Sequence, residues 1–490
     1  MAQEKIYQKK SLKKNTFYNV LKTCSSIIFP LVTFPYISRI LSPEYVGKIN
    51  FSVSYVSYFS MLASLGFSTY AIRECAALQK NKEELSTKAS QLFSINLLMT
   101  VISYMLLSVS LVIFRTLDAY RILIVIQSVG IIFVTLGADW LNSAMEDFKY
   151  ITLRTFAFQL FSLWALLVFV KEPEDYVEYA LISLVSSCGA NLSNIFYRRK
   201  YCTIKLVRRT EWKRHLPAIV VLFVMLLSQS VFSNVDITML GIIKGNYEVG
   251  LYSTAVKITD LVSQMILSIL WVMLPRLSMC FGENDFYEIN TLLSKALSFF
   301  VTLGIPCVTG ILFLSKDILL LMAGEKYVGA EFPLKILMLS FLFDLFGGGF
   351  VGNLILLPSK KEKYFMAVCC VIAGVNVVLN CIIIPIFGAS GAAGTTAFCR
   401  FLMLILLFFK IDKRIKISCS ARTIFASLIG GGGIAVLCWL VKLAKWTLLS
   451  TVIFSVLGGM ILYGLIQIVL KNDIVQLLFS SAFMKLKSRK

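Results

Sequence analysis

Long apolar runs and short polar connections alternate along the whole chain, and this alternation predicts its elements. Each apolar run is about 20 residues long, the length of helix that crosses the hydrocarbon core of a bilayer. The runs begin near residues 17, 49, 90, 121, 152, 178, 217, 250, 295, 334, 364, 390, 423 and 447. The pattern therefore predicts an all-α polytopic membrane protein with 14 transmembrane helices.

Positive charge is distributed unevenly among the connections. Of the 48 Lys and Arg residues, about 34 fall in every second connection, whereas Asp and Glu show no such bias. The basic segments are residues 1–16, 71–90, 146–154, 198–216, 276–295, 358–364, 410–422 and 471–490. Because short loops rich in Lys and Arg stay in the cytoplasm, both termini are predicted to lie inside.

Parts of the first half of the chain recur in the second. The segment SRILSPEYVGKINFSVSY, between the first two runs, resembles LGIIKGNYEVGLYSTAVKI, between the seventh and eighth, which aligns Val46 with Val249. Residues 148–150 match residues 362–364 in the same way. The repeat predicts two six-helix lobes related by a pseudo-two-fold axis along the membrane normal, followed by an extra helix pair. The predicted domains are an N-lobe (1–197), a basic cytoplasmic linker (198–216), a C-lobe (217–410) and the helix pair with a basic tail (411–490).

Composition and charge narrow the function. The chain is 58% hydrophobic and has a net charge of +21. The basic residues flank the apolar runs, so anionic membrane lipids, and not nucleic acid, are the predicted partners. The longest connection has about 19 residues, and the sequence contains no phosphate-binding loop, zinc-protease motif or nucleophile elbow. We expect no enzymatic activity, no cofactor and no bound metal.

A few charged residues lie deep inside the runs. Asp260, Asp344 and Arg400 are each about ten residues from a predicted helix end, and Lys257 is one turn shallower. A charge at such a depth costs about 3 kcal/mol or more, so these residues must be paired or hydrated. Two interpretations follow: they line a path for substrate or protons, or they form a structural salt bridge such as Arg400 with Asp344.

Polar residues also follow one face of the second run. Asn50, Ser54, Ser57, Tyr58 and Met61 are spaced to share a helix face. Hydroxyl groups and tyrosine rings suit a sugar-sized ligand, although small hydroxyl residues also make ordinary contacts between membrane helices. Two further carboxylates, Asp139 and Asp236, lie nearer to run ends and are additional candidates for ion coupling.

Four segments carry a family resemblance. They are PLVTFPYISRILSPEYVGKINF from Pro30, LGFSTYAIRECA from Leu65, GADWLNSAMEDFKYITLR from Gly137 and FGASGAAGTT from Phe387. With these segments the chain resembles bacterial polysaccharide flippases of the Wzx type, in the multidrug/oligosaccharidyl-lipid/polysaccharide exporter superfamily.

The resemblance implies a transporter of the bacterial cytoplasmic membrane. Its cargo would be undecaprenyl-pyrophosphate-linked oligosaccharide repeat units for O-antigen, capsule or exopolysaccharide, moved by alternating access. The family places cations on helices facing the cavity, which here indicates Lys257 and Arg400, while Arg39 and Arg73 would serve as anchors or gate residues. A polysaccharide polymerase and a chain-length regulator are the implied protein partners.

Two alternative functions are weighed against this one. A cation-coupled multidrug exporter of the same superfamily commonly has twelve spans and would need an acidic cavity. A membrane polysaccharide polymerase would need a large outside loop bearing catalytic residues, and the loop at residues 315–333 is small. In the flippase, proton or sodium exchange through Asp260 or Asp344 is the predicted energy source.

Overall fold

The computed structural model describes residues 12–207 and 234–476, with a few single positions between them. The helices before residue 200 are α1 (Leu12–Ile40), α2 (Pro43–Ser64), α3 (Phe67–Ala76), α4 (Lys82–Ile113), α5 (Arg121–Gly137), α6 (Asp139–Ala144), α7 (Phe148–Phe169), α8 (Tyr176–Leu184) and α9 (Ala190–Tyr197). The later helices are α10 (Asn234–Ile243), α11 (Asn246–Glu283), α12 (Phe286–Met322), α13 (Glu331–Asp344), α14 (Glu362–Phe408), α15 (Ala421–Leu443) and α16 (Leu448–Val469). Wider π-helical segments join α8 to α9 (Val185–Gly189) and extend α13 (Leu345–Leu356).

Eleven helices among the described residues are long and apolar enough to cross a membrane. Their outward surfaces carry exposed apolar side chains, for example Val112 (77% exposed) and Ile461 (65% exposed). Exposure of so large an apolar surface to water would be unfavourable, whereas contact with lipid chains is not. The chain is therefore a multi-pass, all-helical membrane protein of the kind that the apolar pattern predicts.

Helix α14 is 47 residues long but is not one straight helix. Gly388 has φ of +55°, a left-handed conformation that separates two helical parts. The Glu248 carboxylate, in the first turn of α11, accepts a hydrogen bond at 2.7 Å from the backbone N–H of Ala389. A Cβ atom at position 388 would lie 2.5 Å from Glu248 Oε2. Glycine is therefore required here by both the backbone and the neighbouring carboxylate.

The chain divides into two compact units, residues 1–241 and 242–490. In the first unit, α2 packs against α4, α5 and α8, α1 packs against α7, and α3 packs against α6. Ser54 and Tyr58 of α2 also contact Thr238 of α10. The lobe boundaries at residues 197 and 217 remain predictions.

In the second unit, α13 packs against α11, α12 and α14. Helices α15 and α16 pack against each other and against α12. The Tyr463 hydroxyl of α16 donates to the Thr302 carbonyl of α12 at 2.6 Å, and Asn472 donates to the Thr302 hydroxyl at 3.2 Å. The extra helix pair is thereby joined to α12 by buried polar contacts.

Each unit contains a non-helical segment that lies along a long helix. We call residues 202–207 the first strap and residues 415–420 the second strap. In the first, backbone N–H groups donate to α4 hydroxyls: Thr203 to Ser86 (3.3 Å), Lys205 to Ser90 (3.0 Å) and Val207 to Ser94 (3.0 Å). In the second, they donate to α12 side chains: Lys416 to Asn290 (3.0 Å) and Ser418 to Ser294 (3.4 Å).

The spacing of these contacts has a simple geometric cause. Two residues of extended chain span about 6.6 Å and four helical residues about 6 Å, so alternate strap amides meet every fourth side chain. The same arrangement in both units supports the predicted internal repeat. The predicted linker, residues 198–216, begins with a short 3₁₀ helix (Arg198–Lys200) and continues as the first strap. Its residues 208–209 and 211–216 lie outside the described part of the chain.

Candidate functional site

Three charged residues of the second unit come together from three helices. Asp344 is the last residue of α13, Arg400 lies in α14, and Asp260 of α11 is within electrostatic range of both. Arg400 Nη1 donates to the Ser340 hydroxyl at 3.0 Å. Ser340 was not indicated by the sequence, and the roles predicted for the three charged residues stay predictions.

Asp260, Asp344 and Arg400 do not form salt bridges with one another. Among the described residues, neither Asp260 nor Asp344 has an ammonium or guanidinium nitrogen within 4.0 Å. The Arg400–Asp344 salt bridge, one of the two interpretations of the sequence, is thus not formed. Arg400 Nε is buried and has no hydrogen-bond partner in the part of the chain that the structure describes. An unsatisfied buried donor on a cation is suited to an anionic group that arrives with a ligand.

The glycines of the π-helical segment after α13 leave room for the Asp344 carboxylate. Gly347, Gly348 and Gly349 are all buried in it. A Cβ atom at Gly348 would lie 3.0 Å from Asp344 Oδ1, so a larger residue there would crowd the carboxylate. Lys257, one turn before Asp260 on α11, is half-buried. The group as a whole therefore contains both cations and carboxylates.

The first unit contains a separate polar cavity of about 600 Å³. It is lined by α2, α5 and the α8–α9 region, and the side chains facing it include hydroxyls, an amide and apolar groups. Ser57 and Met61 of the predicted α2 face are among the lining residues. Gln127 also lines it, and its buried Nε2 has no hydrogen-bond partner. An uncharged cavity of this size, with hydroxyl and amide groups among apolar side chains, suits a ligand that combines hydroxyl groups with apolar faces.

The predicted polar face of α2 divides between two roles. Ser54 donates to the Asn234 carbonyl at 2.9 Å, and Tyr58 bonds the Thr238 hydroxyl at 3.1 Å, so these residues join α2 to α10. Ser57 and Met61 line the cavity instead. Asn50 lies one turn before Ser54 and is half-buried. The structural interpretation thus holds for Ser54 and Tyr58, whereas binding of a ligand at the rest of the face stays a prediction.

The other predicted cations lie at helix ends. Arg39, in the last turn of α1, and Arg73, in the last turn of α3, are both exposed. Helix α2, about 33 Å long, separates the two sequence positions. Arg73 lies 3.7 Å from Glu74 and 5.4 Å from the centre of the Tyr70 ring. Their assignment as anchors or gate residues remains a prediction.

The two additional carboxylates have different surroundings. Asp139 forms a salt bridge of 2.7 Å with Arg154, whose side chain is 5% exposed, and accepts a hydrogen bond from Asn142 at 3.1 Å. Asp236 of α10 is buried. Because Asp139 forms a salt bridge with a buried guanidinium, the structure gives it a structural role.

A buried amide pair in α14 was not predicted. Asn376 and Asn380 are both 0% exposed, and Asn380 Nδ2 donates to Asn376 Oδ1 at 3.0 Å. Asn376 Nδ2 is buried without a partner. The signal was present in the sequence, since two amides four residues apart in the apolar run AGVNVVLN share a helix face.

Comparison with protein families gives two matches. A family profile described as "Polysaccharide biosynthesis protein" matches residues 12–281, and the profile described as "MatE" matches residues 222–382. Together the two matches cover most of the chain.

Several named proteins are similar to the chain, two of them along nearly their whole length. A "Putative O-antigen transporter" of Shigella dysenteriae is 23% identical over 402 residues, covering 81% of this chain and 98% of that protein. The "Capsular polysaccharide biosynthesis protein CapF" of Staphylococcus aureus is 23% identical over 410 residues, with coverage of 81% and 98%. The "Probable low-salt glycan biosynthesis flippase Agl15" of Haloferax volcanii is 28% identical over 171 residues, or 34% of this chain and 35% of that protein.

Two solved structures share the fold. "Lipid II flippase MurJ, inward closed conformation" superimposes with a TM-score of 0.74 at 13% identity, covering 94% of this chain and 100% of that one. An inward-facing multidrug resistance MATE family transporter superimposes with a TM-score of 0.64 at 14% identity, covering 81% and 93%. At these identities the comparison establishes the fold.

Proposed function

Because the chain belongs to the polysaccharide biosynthesis protein family, we propose that it is a flippase for undecaprenyl-pyrophosphate-linked oligosaccharide repeat units. It moves them by alternating access across the bacterial cytoplasmic membrane, for the synthesis of O-antigen, capsule or exopolysaccharide. It acts as a transporter and not as an enzyme. The observation that carries the proposal is the buried Nε of Arg400, which has no hydrogen-bond partner among the described residues, on a side chain within electrostatic range of Asp260.

The chemistry of the cargo matches features of each unit taken separately. A pyrophosphate needs a cation in a low-dielectric site, and a guanidinium with a free N–H binds phosphate oxygens directionally. Arg400 is that cation, with Lys257 as the second. The oligosaccharide needs hydroxyl and amide partners, and the cavity beside Ser57 and Gln127 offers both.

Contacts between connections support the predicted division of the connections between the two sides of the membrane. Two segments that the charge pattern assigns to the inside meet where Asn290 bonds the backbone of Arg414, and Asp473, of a third, bonds Thr423 at the start of the next run. Segments assigned to the outside also meet one another, as in the salt bridge of 2.6 Å between Lys442 and Asp317. This agreement is what a consistent topology requires.

The helix lengths support 14 spans. Helix α2 has 22 residues but a polar face, so it falls outside the eleven apolar helices. The break at Gly388 gives α14 two spanning parts. The remaining span is the one that the sequence predicts from residue 217, most of which lies outside the described residues.

Energy is supplied by proton or sodium exchange at Asp260 and Asp344. Both carboxylates lack an ion-pair partner among the described residues, so binding of a cation there breaks no existing salt bridge. Occupation of these sites would change the field at Arg400 and so its affinity for the pyrophosphate. A polymerase and a chain-length regulator receive the translocated units.

A cation-coupled multidrug exporter is the second candidate. The MatE match over residues 222–382 favours it. Arg400 and Lys257 offset the two carboxylates, so the group lacks the acidic character that a carrier of cationic drugs would need, and its cations can bind an anionic cargo. The mixed charge of the group therefore favours the flippase.

The test uses cells in which the chromosomal gene is deleted and a plasmid supplies a variant. We expect Arg400→Ala to lower surface polysaccharide by about 10- to 100-fold, the loss of one charge-assisted contact, and to cause lipid-linked repeat units to accumulate. Arg400→Lys should retain part of the activity. The matched control is Lys335→Ala, because Lys335 is a charged residue of the same unit that pairs with Glu331 at the start of α13.

Membrane levels of every variant are compared by immunoblot. Normal polymer with Arg400→Ala at wild-type protein levels would remove Arg400 from the mechanism. If deletion of the gene changes drug resistance and leaves the polymer intact, the multidrug exporter is the correct function.

A further inference from the structure

The second unit contains a second polar cavity, of about 520 Å³, away from the charged group of α11, α13 and α14. It lies where the first turns of α12, the second strap and the residues after α16 meet. Its walls include two lysines, Lys295 and Lys416, and several hydroxyl groups. Neither Asp260, Asp344 nor Arg400 contributes to it.

The cavity is built by specific contacts and is not a gap in loose packing. The strap is held to α12 by the Asn290 and Ser294 bonds described above. Asn290 also donates to the Arg414 carbonyl at 3.4 Å, and Ser298 lies 3.7 Å from the Cys419 sulfur. These contacts fix the strap on the helix along the length of the cavity.

The cations of the cavity differ from the neighbouring arginine. Arg414 donates to both carboxylate oxygens of Asp412, at 3.1 and 2.8 Å, and this pair holds the pKa of Asp412 well below its usual range. Lys295 and Lys416 are exposed, and within residues 234–476 no carboxylate pairs with either. The cavity thus presents two ammonium groups that are free to bind an anion.

We propose that this cavity is a binding site for the phosphodiester headgroup of an anionic lipid from the inner leaflet. Lys295 and Lys416 hold the phosphate, and the Ser294 and Ser418 hydroxyls, which lie 3.3 Å apart, bond its oxygens or the glycerol of the headgroup. The placement in the inner leaflet rests on the proposed topology. The site goes beyond cargo transport, because it lies apart from the charged group assigned to the pyrophosphate.

Charge selects the class of headgroup. Asp473 lines the same cavity and offsets one lysine, so the site has a net charge of about +1. A singly charged phosphodiester matches that balance, whereas a pyrophosphate would meet the Asp473 carboxylate with excess negative charge. A zwitterionic headgroup would bring an ammonium group toward the two lysines and be repelled.

The experiment measures lipid binding to the purified full-length protein by native mass spectrometry. Phosphatidylglycerol and phosphatidylethanolamine are titrated separately, and inorganic phosphate is tested alone. The test variant is Lys295→Gln/Lys416→Gln. The matched control is Lys80→Gln/Lys149→Gln, which removes two exposed lysines from other predicted inside segments.

We expect one tightly bound phosphatidylglycerol on the wild type and weaker phosphatidylethanolamine. Each lysine near an anionic lipid contributes about a fivefold factor, so the test variant should bind phosphatidylglycerol about 30-fold more weakly, while the control binds as the wild type. Equal binding by the test and control variants would overturn the site. Stronger occupation by inorganic phosphate, or no preference over phosphatidylethanolamine, would overturn the lipid assignment. Binding is measured without transport, so these outcomes are independent of the cargo.

Discussion

At the scale of the residue, carboxylates inside the spans are of two kinds. Asp139 is fixed by a buried guanidinium, whereas Asp260 and Asp344 have no ion-pair partner among the described residues. A paired carboxylate holds structure, because release of its partner would leave a buried charge. An unpaired carboxylate can exchange a cation with little rearrangement. This difference separates the candidates for ion coupling.

The difference leads to a prediction about energy coupling. Asp260→Asn/Asp344→Asn should abolish the response of transport to a proton or sodium gradient, because no exchangeable carboxylate remains in the group. Transport into vesicles is measured with and without an ionophore. Glu331→Gln is the control, since Glu331 already pairs with Lys335 at 2.6 Å. A double variant that still loses transport on addition of the ionophore would exclude these residues.

Residue depth was readable from the sequence, but side-chain direction was not. Counting along the runs grouped Asp260, Asp344 and Arg400, because depth depends only on the rise per residue. The partner Ser340 and the cavity residue Gln127 depend on how each helix is rotated about its axis. That rotation is set by packing between helices, which a single sequence does not specify.

At the scale of the element, the break in α14 depends on one residue. Alanine at position 388 would be strained by the positive φ and would meet the Glu248 carboxylate. Glu248 could rotate away only by giving up its bond to Ala389.

Gly388→Ala is therefore expected to destabilise the protein by about 1–3 kcal/mol, measured as a lower temperature of unfolding in detergent. Gly374 provides a control in the same helix, because nothing lies within 4 Å of a Cβ atom there. Gly374→Ala should be neutral or slightly stabilising. An equal effect of the two substitutions would show that neither the φ angle nor the Glu248 contact matters.

The sequence predicted which helices exist better than it predicted the residues at which they begin and end. The run expected from residue 90 belongs to α4, which starts at Lys82, and the run expected from 295 belongs to α12, which starts at Phe286. Hydropathy marks the part of a helix that lies in lipid, whereas hydrogen bonding and capping continue the helix into water. The straps were not foreseen, since their amides are satisfied by side chains far away in the sequence.

At the scale of the whole molecule, the family resemblance read from four segments is confirmed by the family profile and by the named relatives. The all-helical membrane fold is confirmed by the solved structures that superimpose on it. The orientation of the chain in the membrane stays a prediction.

A pair of fusions tests this orientation. Residue 330 ends a short 3₁₀ helix between α12 and α13, and residue 361 precedes α14. Alkaline phosphatase, which is active only outside, should be active when fused after residue 330 and inactive after residue 361. The opposite pattern, or equal activity, would contradict the predicted orientation. A green fluorescent protein fusion at each position provides the reciprocal control.

The buried polar contacts of α16 and of the residues that follow it have a consequence for the evolution of transporters with different numbers of spans. Gln467 donates to the Ala426 carbonyl and Asn472 to the Thr302 hydroxyl, so polar atoms of α12 and α15 are satisfied from the end of the chain. We expect that a chain cut after residue 420 would not be a working transporter, because α12 would then present Thr302 and its neighbours to hydrocarbon. A relative that lost α15 and α16 during evolution would need apolar residues in place of the polar ones on α12. A relative that gained the two helices would keep polar residues on α12.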